Sequence, residues 1–292
     1  MAERTVSVTG EIQDPLLEDA CVVFGDKSEW KNFGDRHPEF LSRIGNLKTT
    51  IELAFRPITV AEPIDKILFH LNRLCAEDFN EILLLCGNGY GIGAEKLLRG
   101  MYERAVTSMF LHEHPDKAQD FLDYHKISQH RMMIAVETTL GSVFSAEQRQ
   151  EIEEEFQCAK DKFMVTDCEK CGTNRLNHSW SKLDFVTMAK AGPLAQLLVP
   201  AYYMGVREGH STVEAIFSRL SADEAKAGGG LVFEGTAQRK RADSALLTAH
   251  KILVVVLELQ KDHFRLDELK VPVQSCIDDL FAIWDRSSLK TS

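Results

Sequence analysis

Cys86-Gly-Asn-Gly-Tyr-Gly-Ile-Gly-Ala-Glu-Lys-Leu-Leu-Arg-Gly-Met-Tyr-Glu-Arg-Ala-Val106 is the stretch on which the fold turns. Glycines alternate at 87, 89, 91 and 93, and Gly89, Gly91 and Ala94 spell G-x-G-x-x-A. That spacing marks a dinucleotide site when a strand precedes it and a βαβ unit follows, with an acidic residue about 20 positions on. The surroundings argue otherwise. Ile64, Ile67, Leu68, Leu71, Leu74, Phe79, Ile82 and Leu85 recur at helical spacing, so the apolar residues 82–86 read as the end of a long helix. Leu97, Met101, Ala105 and Phe110 then continue a second helix, and no second strand follows. The glycines read instead as a helix C-cap and a tight turn between two antiparallel helices.

Working outward, the same period predicts helices over 38–56, 62–86, 92–113, 116–140, 145–163, 180–191, 194–208, 210–220, 240–264 and 267–286. Pro38, Pro63 and Pro115 sit where a first-turn N–H is dispensable, and Ser145 with Gln148 has capping-box spacing. The expected fold is all-α: an antiparallel helical bundle with one or two irregular insertions. Residues 164–179 and 221–239 are the long irregular stretches, and the best strand candidate, residues 230–234, stands alone. Residues 1–35 read as a loosely attached arm, and 36–290 as a single helical domain.

Bulk numbers narrow the function classes. A formal charge of −10 argues against an extended nucleic-acid surface, which needs a dense Lys/Arg field. The tight basic triplet Arg239-Lys240-Arg241 reads as the charged start of a helix. No run approaches the roughly 18 apolar residues of a membrane span. The N-terminus lacks the order of a secretory signal, and the odd, scattered set of seven cysteines suits a reducing compartment. The expected location is the cytoplasm, and the long apolar helix faces suit a homo-oligomer.

On the helix after the glycine turn, Arg99 and Glu103 fall at the edge of the apolar arc and are spaced to pair. Arg before Glu is the weaker order for an exposed pair, which points to a partly buried one. A second polar stripe follows i, i+4, i+7, i+11, i+14: Tyr203, Arg207, His210, Glu214 and Phe217. All five share a face if one helix runs through Gly205 and Gly209. If Gly209 breaks it, His210 lies at a new helix start.

These elements form an ordered set. Arg99-x3-Glu103, then Tyr124-His125, then Trp180, then Tyr203-x6-His210 resembles a large, all-helical bacterial domain family of unknown function over about residues 60–220. The resemblance implies a helical fold and a shared polar centre, with Tyr124, His125 and Trp180 as binding candidates, and brings no activity with it. Similar sequences tend to carry Ser three residues before the His, where this chain has Arg207.

Other chemistry is incomplete. Cys158, Cys168, Cys171 and His178 are the zinc candidates, but a single C-x-x-C with one His is a weak pattern, and no cofactor is otherwise implied. No Gly-x-Ser-x-Gly elbow or His-Glu-x-x-His motif is present. Two readings stay open. One is a binding or regulatory module for a small molecule or protein, with a mainly structural Arg/Glu/Tyr/His cluster. The other is a metal-independent ribonuclease or phosphoester-cleaving toxin-like enzyme, with catalytic candidates Arg99, Glu103, Tyr203, Arg207 and His210, in which Arg would hold the phosphate and His210 would move the proton.

Overall fold

The structure, a computed structural model, describes residues 26–58, 60, 62–168, 172–220 and 237–284. These residues are overwhelmingly helical: α1 Lys27–Arg36, α2 Pro38–Ala54, α3 Pro63–Gly87, α4 Gly91–Glu113, α5 Ala118–Leu140, α6 Ala146–Ala159, α7 Phe185–Ala191, α8 Met204–Gly209, α9 Val213–Phe217, α10 Arg239–His263 and α11 Lys270–Trp284. One antiparallel hairpin interrupts them, β1 Met164–Cys168 with β2 Thr173–Leu176. No helix among the described residues is long and apolar enough to cross a membrane.

The chain divides into two compact units. The first takes residues up to 58, 69–105 and 194 onward; the second takes 59–68 and 106–193. The chain leaves the first unit after residue 58, returns at 69, leaves again after 105 and returns at 194. Part of the expected N-terminal arm is also ordered differently: residues 27–36 form α1, capped by Asp26, whose carboxylate accepts from the Ser28 and Glu29 N–H groups, with Phe33 fully buried.

In the first unit the centre is α10, whose residues Ala242 through Gln260 are buried on almost every side. A helix apolar nearly all round must lie inside other helices, and α2 and α11 pack on it and on each other. Fully burying a side chain such as Leu253 stabilises by roughly 1.5–3 kcal/mol. A buried polar crossing joins three helices here: Asn72 donates to Gln260 at 3.0 Å, and Gln260 donates to the Ala54 carbonyl at 3.2 Å.

The glycine stretch is the expected inter-helix turn. α3 ends at Gly87, Gly89 takes φ +74°, and α4 begins at Gly91. A Cβ on Gly91 would lie 2.6 Å from the Ala242 nitrogen and from the Gln238 carbonyl, so this position lets the turn press against the start of α10. Gln238 closes the contact: its N–H donates to the Gly89 carbonyl, and its Oε1 accepts from the Ile92 N–H. The glycines serve helix packing.

Two regions depart from the periodic reading. The expected helix 194–208 is a 3-10 turn, a π-turn at Leu198–Tyr203 and then α8. Pro200 has no N–H to give the i−4 carbonyl, and the wider turn absorbs the missing bond. The stretch 164–179, expected to be irregular, contains the hairpin, in register Met164↔Leu176 and Val165↔Arg175, with a bulge after Thr166 and Gly172 at φ +65°. The strand candidate at 230–234 lies outside the described residues.

In the second unit α5 and α6 pack together. Ile127, Ala159 and Phe163 form the buried cluster, flanked by Tyr124, Phe156 and Leu176. Ser145 and Gln148 form the capping box at the start of α6.

Candidate functional site

Arg99 and Glu103 do pair: Arg99 Nε donates to Glu103 at 2.8 Å, with the two side chains 33% and 40% exposed. The guanidinium also lies over a tyrosine ring, 5.1 Å from its centroid, but that ring is Tyr202. Tyr203 is 46% exposed and meets Tyr202 edge-on. Gly205 explains the approach of the two segments, since a Cβ there would lie 2.7 Å from the Glu95 carbonyl oxygen and 2.8 Å from the Arg99 Cβ.

The second stripe does not share a face. α8 ends at Gly209, His210 is extended at φ −104°, ψ 154°, and Thr212 caps the separate α9. A run of Gly, an extended residue and a capping threonine cannot carry a helical register through. His210 is exposed, and its imidazole makes no hydrogen bond among the described residues. Arg207 turns to its neighbour Glu208, at 3.2 Å.

The most buried charges of this unit are ones the periodic reading passed over. Arg241 donates to Glu95 through Nε at 3.0 Å and through a second, shorter bond, and to Glu208 at 2.8 Å. The Glu95 and Glu208 side chains are 7% and 1% exposed. Ser218 donates to the other Glu208 oxygen at 3.2 Å. Burial works to raise the Glu208 carboxyl, but hydrogen bonding and charge from Arg241, with Ser218 and Arg207, outweigh it and hold the carboxyl below its ordinary value. Burial likewise opposes the charge on Arg241, and the two carboxylates more than compensate.

Two flanking pairs extend this pattern along the first turns of α10. Arg239 reaches Glu29 with a two-pronged contact, and Asp243 accepts from Arg36 and meets His37 at 2.7 Å. The basic triplet thus starts a helix, as its composition suggests. Cations are unfavourable at a helix N-terminus unless carboxylates answer them, and here they do.

The second unit gathers the aromatic candidates. Trp180 meets Phe110 at 5.8 Å and Phe121 at 5.4 Å, both edge to face. Tyr124 packs against Phe163 at 5.1 Å and donates to the Asn177 carbonyl at 3.0 Å. Arg131 donates to the Tyr124 hydroxyl and to that same carbonyl. Asn177 is held further by its N–H to Phe163 and its side-chain amide to Ser181, so the hairpin hands the chain to Trp180 in a fixed direction. His125, one position on from Tyr124 and about 100° round the helix, is exposed.

Beside Trp180 lies a cavity of about 250 Å³, lined by Phe110, Phe163, Trp180, Ser181 and the lysines 117, 162 and 182, with Asp120. Lys162 is clamped between Asp120 at 2.6 Å and Asp123 at 2.9 Å, and those two carboxylates raise its ammonium above its ordinary value. Lys182 has no carboxylate partner among the described residues. In the first unit a wider groove of about 540 Å³ runs beside the glycine turn, but it sets Asp26 and Glu29 against Lys96 and Arg219, so its wall has no preferred sign of charge.

Neither zinc nor thiol chemistry gains a site. Among the described residues no group of three His, Cys, Asp or Glu side chains is placed to hold a metal. Cys158 and His178 are exposed, only the backbone of Cys168 is described, and Cys171 lies outside the described residues. Burial raises the Cys75, Cys86 and Cys276 thiols, Cys86 to about 12, so they are neutral at physiological pH.

Fold and site together define an all-helical domain with a closed ion network in one unit and an aromatic, lysine-rimmed pocket in the other. The chain belongs to a family of unknown function, DUF5677, whose model matches residues 65–227. No curated protein and no solved structure matches it.

Proposed function

We propose that the chain is a small-molecule-binding module, with its ligand site in the Trp180 pocket and the polar cluster around Arg241 serving to hold helices together. The observation that carries this is a difference in hydrogen-bond satisfaction. Glu95, Arg241 and Glu208 answer one another, and such a closed network is a structural device. The pocket wall instead keeps two donors, Lys182 and the Ser181 hydroxyl, without acceptors among the described residues, beside aromatic surface, a composition that suits a ligand site.

Thermal unfolding of the full chain against a panel of small metabolites tests the reading. A ligand at 100 times its dissociation constant stabilises the folded form by about 2.7 kcal/mol. The reading requires a shift that Leu183→Trp, which narrows the mouth of the pocket, removes. No shift across the panel, or one indifferent to that change, overturns it. The RNA-cleaving alternative has less support, because Arg207 is engaged by Glu208 and His210 stands apart. RNA cleavage abolished by His210→Ala would favour it over the binding module.

A further inference from the structure

The pocket wall also restricts what kind of ligand it can take. Most of its acceptors are already occupied. Asp120 uses one oxygen on Lys162, at 2.6 Å, and the other faces Lys117, at 3.9 Å. The Asn177 side-chain oxygen accepts from the His178 N–H, and its backbone carbonyl accepts from Tyr124 and Arg131. The Ser181 carbonyl takes the Asn177 amide. A cationic or donor-rich ligand would find only the second Asp120 oxygen open among these groups, with Lys117 already facing it.

The donors are the reverse case. Lys182 is exposed and has no carboxylate partner among the described residues. Ser181 is 8% exposed, and its oxygen accepts the Leu183 N–H at 3.0 Å while its own hydroxyl proton has no acceptor among the described residues. A buried hydroxyl without an acceptor costs free energy unless something in the cavity supplies one. Lys117, 47% exposed at the same rim, is already paired with Asp116 at 3.1 Å, which leaves Lys182 as the rim cation without a carboxylate partner among the described residues.

Shape and apolar surface set the remainder. Trp180 is half-buried and pinned edge-on by Phe110 and Phe121, so a planar ligand meets an indole that does not have to be ordered on binding. About 250 Å³ lies below the roughly 300–1,000 Å³ of drug-sized ligand pockets and suits one ring system with one substituent.

We propose that the Trp180 pocket selects a small planar aromatic anion, its ring against Trp180 and Phe110 and its carboxylate or phosphate answered by Lys182 and Ser181. This rests on the ligand-site reading above and narrows it to one chemical class. A nucleoside monophosphate and an aromatic carboxylate share that chemistry, and matched pairs separate them from each other and from their neutral counterparts.

The test is calorimetric titration of the full chain with adenosine monophosphate against adenosine, and with indole-3-acetate against indole-3-acetamide. At least one anion should bind about tenfold more tightly than its neutral partner, the gain of one charge-assisted hydrogen bond. Lys182→Gln should reduce that anion to the affinity of its neutral partner. Equal binding within both pairs, or an anion preference that survives Lys182→Gln, overturns the anionic class. If Leu183→Trp abolishes that equal binding, the pocket itself stands. Binding by none of the four probes also overturns the class and leaves the pocket to the wider panel. An anion preference that survives Leu183→Trp places the site elsewhere and overturns both.

Discussion

In the first unit, Arg241 answers two buried carboxylates; in the second, the exposed Lys182 has no carboxylate partner among the described residues, and the Ser181 oxygen accepts from Leu183 while its own proton finds no acceptor among them. Both are polar clusters beside aromatic or apolar surface, and composition alone would rank them together. Satisfaction separates them. Charges that close on one another hold a fold together, and their removal should be read in stability. Donors without a protein acceptor are left to water or to a ligand, and their removal should be read in binding.

The contrast breaks most decisively at Arg241. Arg241→Ala leaves Glu95 buried without its counter-ion and Glu208 with Arg207 alone, and urea unfolding should report a loss of about 3–5 kcal/mol. A loss below about 1 kcal/mol would mean that the network is not what holds these helices.

Acid tests the same unit through a different group. Burial, opposed by Asp279, depresses His250 to about 4, while Trp284 donates to its Nδ1 at 3.0 Å. Its folded value lies below its unfolded value of 6.5, so the unfolded chain takes up the proton first. The contribution is therefore complete above pH 6.5 and lost as pH falls from there toward 4, by about 3 kcal/mol in all. Stability curves should slope accordingly, and His250→Gln should flatten that slope. Glu208, also depressed, is complete above its unfolded value of 4.5 and adds its own loss at lower pH.

Gly205→Ala sharpens the comparison without touching a charge. The added methyl would meet the Glu95 carbonyl and the Arg99 Cβ, both closer than 3 Å, and should cost about 1–3 kcal/mol in thermal or urea unfolding. Arg99→Ala removes a one-third-exposed pair and should cost less than about 1 kcal/mol in the same assays. If Arg99 proves costlier than Arg241, the ranking of the two ion clusters is inverted. Smallest of all, Lys182→Gln should leave the melting temperature unchanged, within about 0.5 kcal/mol. A Lys182 that stabilised the fold would be structural, and the distinction between the two units would lose its chemical basis.

Much of this was legible in advance, and the failures have a common cause. The 3.6-residue period places α2 through α6 and α10 to within a few residues, and it turns the glycine stretch away from a nucleotide site. It also holds a signal that was passed over. Glu95 lies in phase with the buried Leu98, Tyr102, Ala105 and Met109, and Arg241 in phase with Ala245, Ala249 and Ile252. A charge in the phase of an apolar stripe must find a partner inside, whereas Arg99 and Glu103, at the edge of the arc, need not. Of the two readings of the Tyr203 stripe, the break at Gly209 is the one the structure takes, and Tyr202 is the ring beneath Arg99. The hairpin was missed because short strands in polar sequence carry little periodicity.

Local chemistry is therefore what the chain states by itself: where helices start and stop, and which faces are apolar. Which charge answers which was decided only in three dimensions. Arg241 stands 146 positions from Glu95, and Trp180 meets Phe110 across seventy intervening positions. Side-chain satisfaction is a property of neighbours in space, and periodicity along a chain reports only the face a residue presents.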